Sequence, residues 1–87
     1  MSKKKEGFSK YLEYQYRQTG SFYTQLFKAI QVADPENRAR LVAGFPEEVE
    51  AYLTWSRKGA QDFLEHIPKD HRLREKFIRE YALEDKE

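Results

Sequence analysis

The stretch from residue 46 to residue 67 constrains the fold of this chain most, because its apolar residues recur every three or four positions. At about 100° per residue they fall within one stripe of a helical surface. The stripe contains Val49, Tyr52, Leu53, Ser56, Ala60, Phe63, Leu64 and Ile67. Pro46 is tolerated in the first turn of a helix, and Pro68 marks an end. The pattern therefore predicts a long amphipathic helix over residues 46–66.

The rest of the chain shows helical spacing in shorter segments. Gly and Pro are scarce, with four and three copies, and most of them separate these segments. Besides the long helix, the predicted helices cover residues 7–19, 22–33, 35–43 and 71–83. No segment alternates apolar and polar residues in the manner of a strand. We therefore expect an all-α fold, a compact bundle of four to five helices.

A single helical domain is expected to span residues 1–87. A chain of this length fits one small domain, and its six Phe, six Tyr and one Trp supply much of the apolar surface of a core. The ends of the chain, residues 1–6 and 84–87, are mostly polar or charged and are expected to fray. In this bundle the 46–66 helix is the spine, and the 22–33 helix is its central packing partner.

Three glutamates follow Pro46 in the sequence GFPEEVEAY, residues 44–52, and two interpretations compete for them. As a helix start, they gain roughly 0.3–1 kcal/mol each from the helix dipole, and Phe45 can pack against Val49 across the first turn. If two of them were a catalytic pair, they would need apolar surroundings that shift the pKa of one carboxyl group, and the sequence shows none. We interpret them as a helix-start device and predict no catalytic residue.

Composition excludes several classes of function. Cysteine is absent, which excludes disulfides and thiolate metal sites and fits a reducing compartment. No apolar run approaches the roughly 18 residues of a membrane span, and the basic start lacks the apolar stretch of a secretory signal. Signatures of phosphate-binding loops and of hydrolase nucleophiles are missing. We expect a soluble cytoplasmic protein that is not an enzyme, with no cofactor and no membrane partner.

Trp55 is the leading candidate for contact with a protein partner. On a helical wheel it falls about 120° from the centre of the apolar stripe, and Trp is enriched among interface hot spots. Glu48 and Asp62 lie on the same flank, and Tyr52 lies between Trp55 and the stripe. The predicted partner-binding residues are therefore Trp55, Glu48, Asp62 and Tyr52. In the alternative interpretation a neighbouring helix covers Trp55, which then belongs to the core.

The first helix carries an alternative site, for nucleic acid. Lys10 and Arg17 lie on the side of Tyr14, and aromatic rings among basic residues can stack on bases and hold phosphates. Lys3–Lys5 would add charge. The net charge of +1 gives no overall field that attracts nucleic acid. The competing interpretations are a wide core face whose tyrosine hydroxyls reach water, and a contact with protein.

The two histidines, His66 and His71, lie on either side of Pro68. Carboxylates are close in sequence, but the HExxH spacing of a zinc-binding helix is missing. We interpret both histidines as solvated surface residues and predict no metal site.

Three phrases of the chain, GSFYTQLFKAIQVAD, ENRARL and GFPEEVEAY, carry a resemblance to a known group of proteins. Together they resemble small, uncharacterised all-helical proteins encoded on bacterial plasmids, phages and other mobile elements. The resemblance covers residues 20–52 and implies a bacterial cytoplasmic setting without known catalytic residues. We therefore expect a non-enzymatic interaction protein, such as an accessory or inhibitor factor of a mobile element. A homodimer is left open.

Overall fold

The computed structural model describes residues 3–85, which contain six α-helices and no strand. The helices are α1 (Lys3–Gln15), α2 (Ser21–Val32), α3 (Pro35–Gly44), α4 (Pro46–Lys58), α5 (Ala60–Leu64) and α6 (Arg74–Tyr81). Five are longer helices, and α5 is a short one. The predicted all-α fold is therefore confirmed. Across the described residues, no helix is both long enough and apolar enough to cross a membrane.

The core lies where α1 crosses α4. Gly7 allows the close approach of the two helices, because a Cβ atom at this position would stand 2.7 Å from the backbone carbonyl of Glu47. The buried apolar residues are Phe8, Tyr11, Leu12, Leu26, Phe27, Ile30, Val49, Ala51, Phe63, Leu64, Ile67, Leu73 and Phe77. The spine of the bundle is α4, but α1 packs against it more extensively than the predicted partner α2 does.

The predicted helix over residues 46–66 is interrupted at Gly59 and forms two helices, α4 and α5. Gly59 has φ 93° and ψ −174°, a conformation that residues with a side chain rarely adopt. Its N–H donates to the carbonyls of Thr54 and Trp55, at 3.2 Å each, and closes α4. Phe63 of α5 remains in the core beyond the break. Because the apolar spacing continues through Gly59, periodicity alone predicted one helix.

The last helix begins at Arg74, later than predicted, because His71 takes part in the turn before it. His71 Nδ1 accepts a hydrogen bond from the N–H of Leu73 at 3.0 Å. The other ring nitrogen, Nε2, lies 3.1 Å from a carboxylate oxygen of Glu13 in α1. The imidazole therefore links the turn before α6 to the first helix.

The first helix differs from its predicted bounds, which were residues 7–19. It begins at Lys3, since Lys and Glu are good helix formers, and Gly7 lies inside it. The segments predicted to fray, 1–6 and 84–87, fall partly outside the described residues. Within the described part, residues 3–6 are helical, and residues 84–85 follow α6 without helical structure.

The third helix, α3, begins where the sequence predicted, because its start is set by residues next to it in the sequence. The side chain of Asp34 caps the helix by accepting a hydrogen bond from the N–H of Asn37 at 2.8 Å, and Pro35 occupies the first position. Yet α3 contributes no buried residue, and its main contact is with α4. It therefore lies on the outside of the bundle.

Candidate functional site

Trp55 lies in an aromatic cluster that joins α4, α5 and α6. Its ring centroid is 5.6 Å from that of Phe63, 5.9 Å from that of Phe77 and 5.4 Å from that of Tyr81. The indole is half-buried, and Tyr81 beside it is 43% exposed. One part of the indole extends the core, while the other lies near the surface with Tyr81. The role of Trp55 in partner contact stays a prediction.

The other predicted partner-binding residues face different neighbours. Tyr52 packs edge-on against Tyr11 of α1, and the guanidinium of Arg38 lies 5.8 Å from the centre of the Tyr52 ring. Asp62 is half-buried in the first turn of α5. Glu48 is buried in the first turn of α4. The four residues predicted to form one surface therefore do not share one set of neighbours.

Glu48 carries a buried carboxyl group that forms no ion pair among the described residues. It is 8% exposed, and its Oε1 makes no hydrogen bond among the described residues. Burial raises the pKa of its carboxyl above the ordinary value of 4.5, its own backbone N–H lowers it, and the charges of Glu47 and Glu6 raise it again. The ionised form therefore destabilises the folded state. This burial could not be predicted from the sequence, because it depends on how other helices pack against the start of α4.

We expect Glu48→Gln to raise the free energy of unfolding near pH 7 by on the order of 1 kcal/mol, because it removes a buried charge and keeps the shape of the side chain. The pKa is higher in the folded state than in the unfolded state. The folded wild type therefore binds the proton more tightly, and its stability falls as the pH rises through the interval between the two values. The advantage of the variant should shrink towards pH 4.

Denaturant unfolding of both proteins at about pH 4 and about pH 7 measures this effect. Glu65→Gln, at an exposed position, is the matched control. An equal gain in stability in the control, or a gain that does not depend on pH, would contradict the explanation.

The predicted nucleic-acid residues are only partly brought together. A cleft of about 540 Å³ lies between the end of α1 and α2, and we call it the α1–α2 cleft. It is lined by Tyr14, Gln15, Arg17, Thr24 and Lys28. Lys10 does not line it. Its ammonium lies 3.7 Å from a carboxylate oxygen of Glu13 and 5.3 Å from the centre of the Tyr23 ring.

Arg17 follows α1 in a left-handed conformation, with φ 58°. Its N–H donates to the carbonyl of Tyr14 at 3.0 Å, and the N–H of Gln18 donates to the carbonyl of Glu13 at 2.8 Å. The two bonds form a Schellman cap, whose left-handed position is usually occupied by glycine. The conformation costs a residue with a side chain roughly 1–2 kcal/mol. Because Gly20 is the stronger stop signal in the sequence, this cap was missed.

Both histidines are half-buried against α1, so their interpretation as solvated surface residues is wrong. The ring of His66 stacks on that of Phe8, with centroids 4.5 Å apart, and the His71 side chain is 8% exposed beside Glu13. Both are held by α1, a contact that their local sequence cannot reveal. Within residues 3–85, no group of three or more His, Asp or Glu side chains could hold a metal ion.

A second cleft, of about 410 Å³, lies between the C-terminal part of α2 and α3. It is lined by Ala29, Val32, Ala33, Asp34, Asn37, Arg40 and Leu41. Val32 is 83% exposed although it is apolar. At the other end of the same two helices, Phe22 is 59% exposed and its ring lies 5.9 Å from that of Phe45. We call this cleft the α2–α3 groove; Phe22 and Phe45 do not line it.

The exposure of Phe22 and of Val32 was not among the predictions from the sequence. Phe22 shares its side of α2 with Leu26, but its ring meets Phe45 at the end of α3 and remains largely exposed. For Val32 a signal was present. At about 100° per residue, it lies roughly 200° around the helix from the buried Ile30.

Comparison with known proteins gives no relative from which a role could be transferred. No family model matches the chain, and neither a curated protein nor a solved structure matches it. The functional argument therefore depends on the described residues.

Proposed function

We propose that the chain is a non-enzymatic interaction protein that binds an amphipathic helix of a protein partner in the α2–α3 groove. The observation that carries the proposal is the exposure of Val32, which is 83% exposed in the cleft between two helices. Apolar residues that are exposed in a groove favour binding of the apolar face of another helix. Burial of that surface is the main favourable contribution to association.

The groove has the composition that such an interface needs. Ala29, Ala33 and Leu41 supply small or aliphatic side chains, which permit close approach of a partner helix. Polar residues form the rest of the lining. Among them, Arg40 is already held by hydrogen bonds to Glu36 and Asn37, at 3.1 and 3.3 Å. A helix that enters the groove would therefore meet an apolar surface with a preorganised polar edge.

The proposed setting is the bacterial cytoplasm, where the chain would act as an accessory or inhibitor factor of a mobile element. The resemblance of residues 20–52 and the lack of cysteine support this setting. The surface around Trp55 and Tyr81 is a second candidate for partner contact. Its test is less direct, because Trp55→Ala would also remove ring contacts with Phe63 and Phe77.

We expect Val32→Lys to abolish partner capture without changing stability, because it places a charge in the groove at an exposed position. Val42→Lys is the matched control. Val42 is also an exposed valine near the C-terminal end of its helix, and it does not line the cleft. A lysine is favourable to the helix dipole at both positions. The measurement is affinity capture from a bacterial lysate, in which the proteins retained by the wild type, Val32→Lys and Val42→Lys are compared.

The expected result is a partner that the wild type and Val42→Lys retain and that Val32→Lys loses. Titration of the purified partner should then show a loss of at least about tenfold in affinity, or about 1.4 kcal/mol. Retention of the same partner by Val32→Lys would contradict the proposal. The groove could instead bind a second copy of this chain. Sedimentation of the isolated protein tests this alternative, because the wild type would then be a dimer and Val32→Lys would be a monomer.

A further inference from the structure

We propose that the α1–α2 cleft binds the phosphate group of a small phosphate monoester. The cleft lies between the end of α1 and the first part of α2, and it shares no lining residue with the α2–α3 groove. Its volume, about 540 Å³, falls in the range of roughly 300–1,000 Å³ that is usual for small-molecule sites. The proposal does not depend on the proposed protein partner.

The charges of the cleft match such a ligand. Arg17 and Lys28 both line it, and among the residues that the structure describes no acidic one does. Within the described part of the chain, neither of these two side chains forms an ion pair. Two cations balance a phosphate monoester, which carries a charge of about −1.5 to −2 near pH 7. The guanidinium of Arg17 can also bind phosphate oxygens through two parallel hydrogen bonds.

A nucleic-acid strand fits the cleft less well. Each phosphodiester carries one negative charge, and a strand needs a positive groove that follows its backbone. Lys10 would extend the positive charge along α1, but Glu13 pairs with it. Among residues 3–85, only two cationic side chains line the cleft, Arg17 and Lys28, and this number suits a single doubly charged phosphate.

The uncharged polar side chains of the cleft are already hydrogen-bonded within the protein, so the two cations carry the recognition of the phosphate. The amide nitrogen of Gln15, Nε2, is buried away from the open part of the cleft, and the Gln15 side chain hydrogen-bonds with that of Tyr11. The hydroxyls of Tyr14 and Thr24 already donate, to Gln31 Oε1 at 3.4 Å and to the carbonyl of Gly20 at 3.0 Å.

The backbone of Arg17 agrees with a ligand-binding role but does not carry the proposal, because Ala82 closes α6 in the same left-handed conformation. The left-handed position of a Schellman cap favours glycine, yet arginine occupies it here. Backbone strain of this kind is concentrated at functional sites. The geometry holds the guanidinium at the α1–α2 cleft at the expense of local stability, as expected if the side chain binds a ligand.

The test is calorimetric titration of the full chain with ribose 5-phosphate and adenosine 5′-monophosphate, with adenosine as the probe that lacks phosphate. We expect both phosphate monoesters to bind and adenosine not to bind. Arg17→Gly and Lys28→Gln should each weaken binding by about tenfold or more. Lys58→Gln, which changes an exposed lysine that does not line the cleft, should leave the affinity unchanged.

Arg17→Gly also separates binding from folding. Because glycine suits the left-handed conformation, this variant should have a thermal midpoint equal to or higher than that of the wild type while its affinity falls. Equal losses in Lys58→Gln and Lys28→Gln would indicate general ionic attraction and would overturn the proposal. Tighter binding of an oligonucleotide without a terminal phosphate would assign the cleft to nucleic acid instead. Absence of binding at millimolar monoester would also overturn it.

Discussion

Replacement of Phe63 by alanine is expected to lower the free energy of unfolding by about 3–5 kcal/mol, because it leaves a cavity at the centre of the core. The side chain is fully buried, and its ring contacts those of Phe8, Tyr11, Trp55 and Phe77 at centroid distances of 5.1–5.8 Å. These neighbours come from α1, α4 and α6. The loss would be a large share of the roughly 5–15 kcal/mol that usually stabilises a domain.

Denaturant unfolding monitored by circular dichroism measures this loss. The matched control is Phe22→Ala, which removes the same atoms from a position that is 59% exposed. We expect the control to lose less than about 1 kcal/mol. Similar losses in the two variants would show that Phe63 does not occupy the centre of the core.

Gly7→Ala is expected to lower the free energy of unfolding by about 1–3 kcal/mol, although alanine is the better helix former. The added Cβ atom would stand 2.7 Å from three atoms of Glu47, two of which belong to the backbone. Backbone cannot rotate away as a side chain can, so α1 must move away from α4. The movement would loosen the packing of Phe8, the next residue.

The control for this variant is Gly44→Ala, which makes the same change in another helix where no atom lies within 4 Å of the added Cβ. It should be neutral or stabilising by up to about 1 kcal/mol. The same unfolding measurement applies to both variants. Equal stability of Gly7→Ala and the wild type would contradict the close crossing of α1 and α4.

The parts of the fold that follow from local interactions could be predicted from the sequence. Asp34 and Pro35 begin α3, and Pro46 begins α4, because a cap or a first-turn proline acts on residues within one turn. The break at Gly59 could not be predicted in the same way. Glycine is tolerated both within a helix and in the conformation observed here, and the apolar spacing does not distinguish the two.

The parts that depend on long-range contacts were missed. The burial of Glu48 and the contact between His71 and Glu13 arise from helices that are distant in sequence. Of the predicted nucleic-acid residues, Tyr14 and Arg17 share a cleft with Lys28, a residue from α2 that the sequence did not connect to them. The α2–α3 groove was also missed, because the sequence does not say how far apart two neighbouring helices will lie.

The crossing of α1 and α4 has a consequence for the nascent chain. A ribosome makes α1 before the residues that cover Phe8, among them Phe63 and His66, which follow more than 50 positions later. Until those residues emerge, the apolar side of α1 has no native cover and is open to chaperones or to aggregation. The core can therefore fold only after the segment that contains Phe63 and His66 has been synthesised. The rate of translation, rather than the rate of helix formation, would set when this happens.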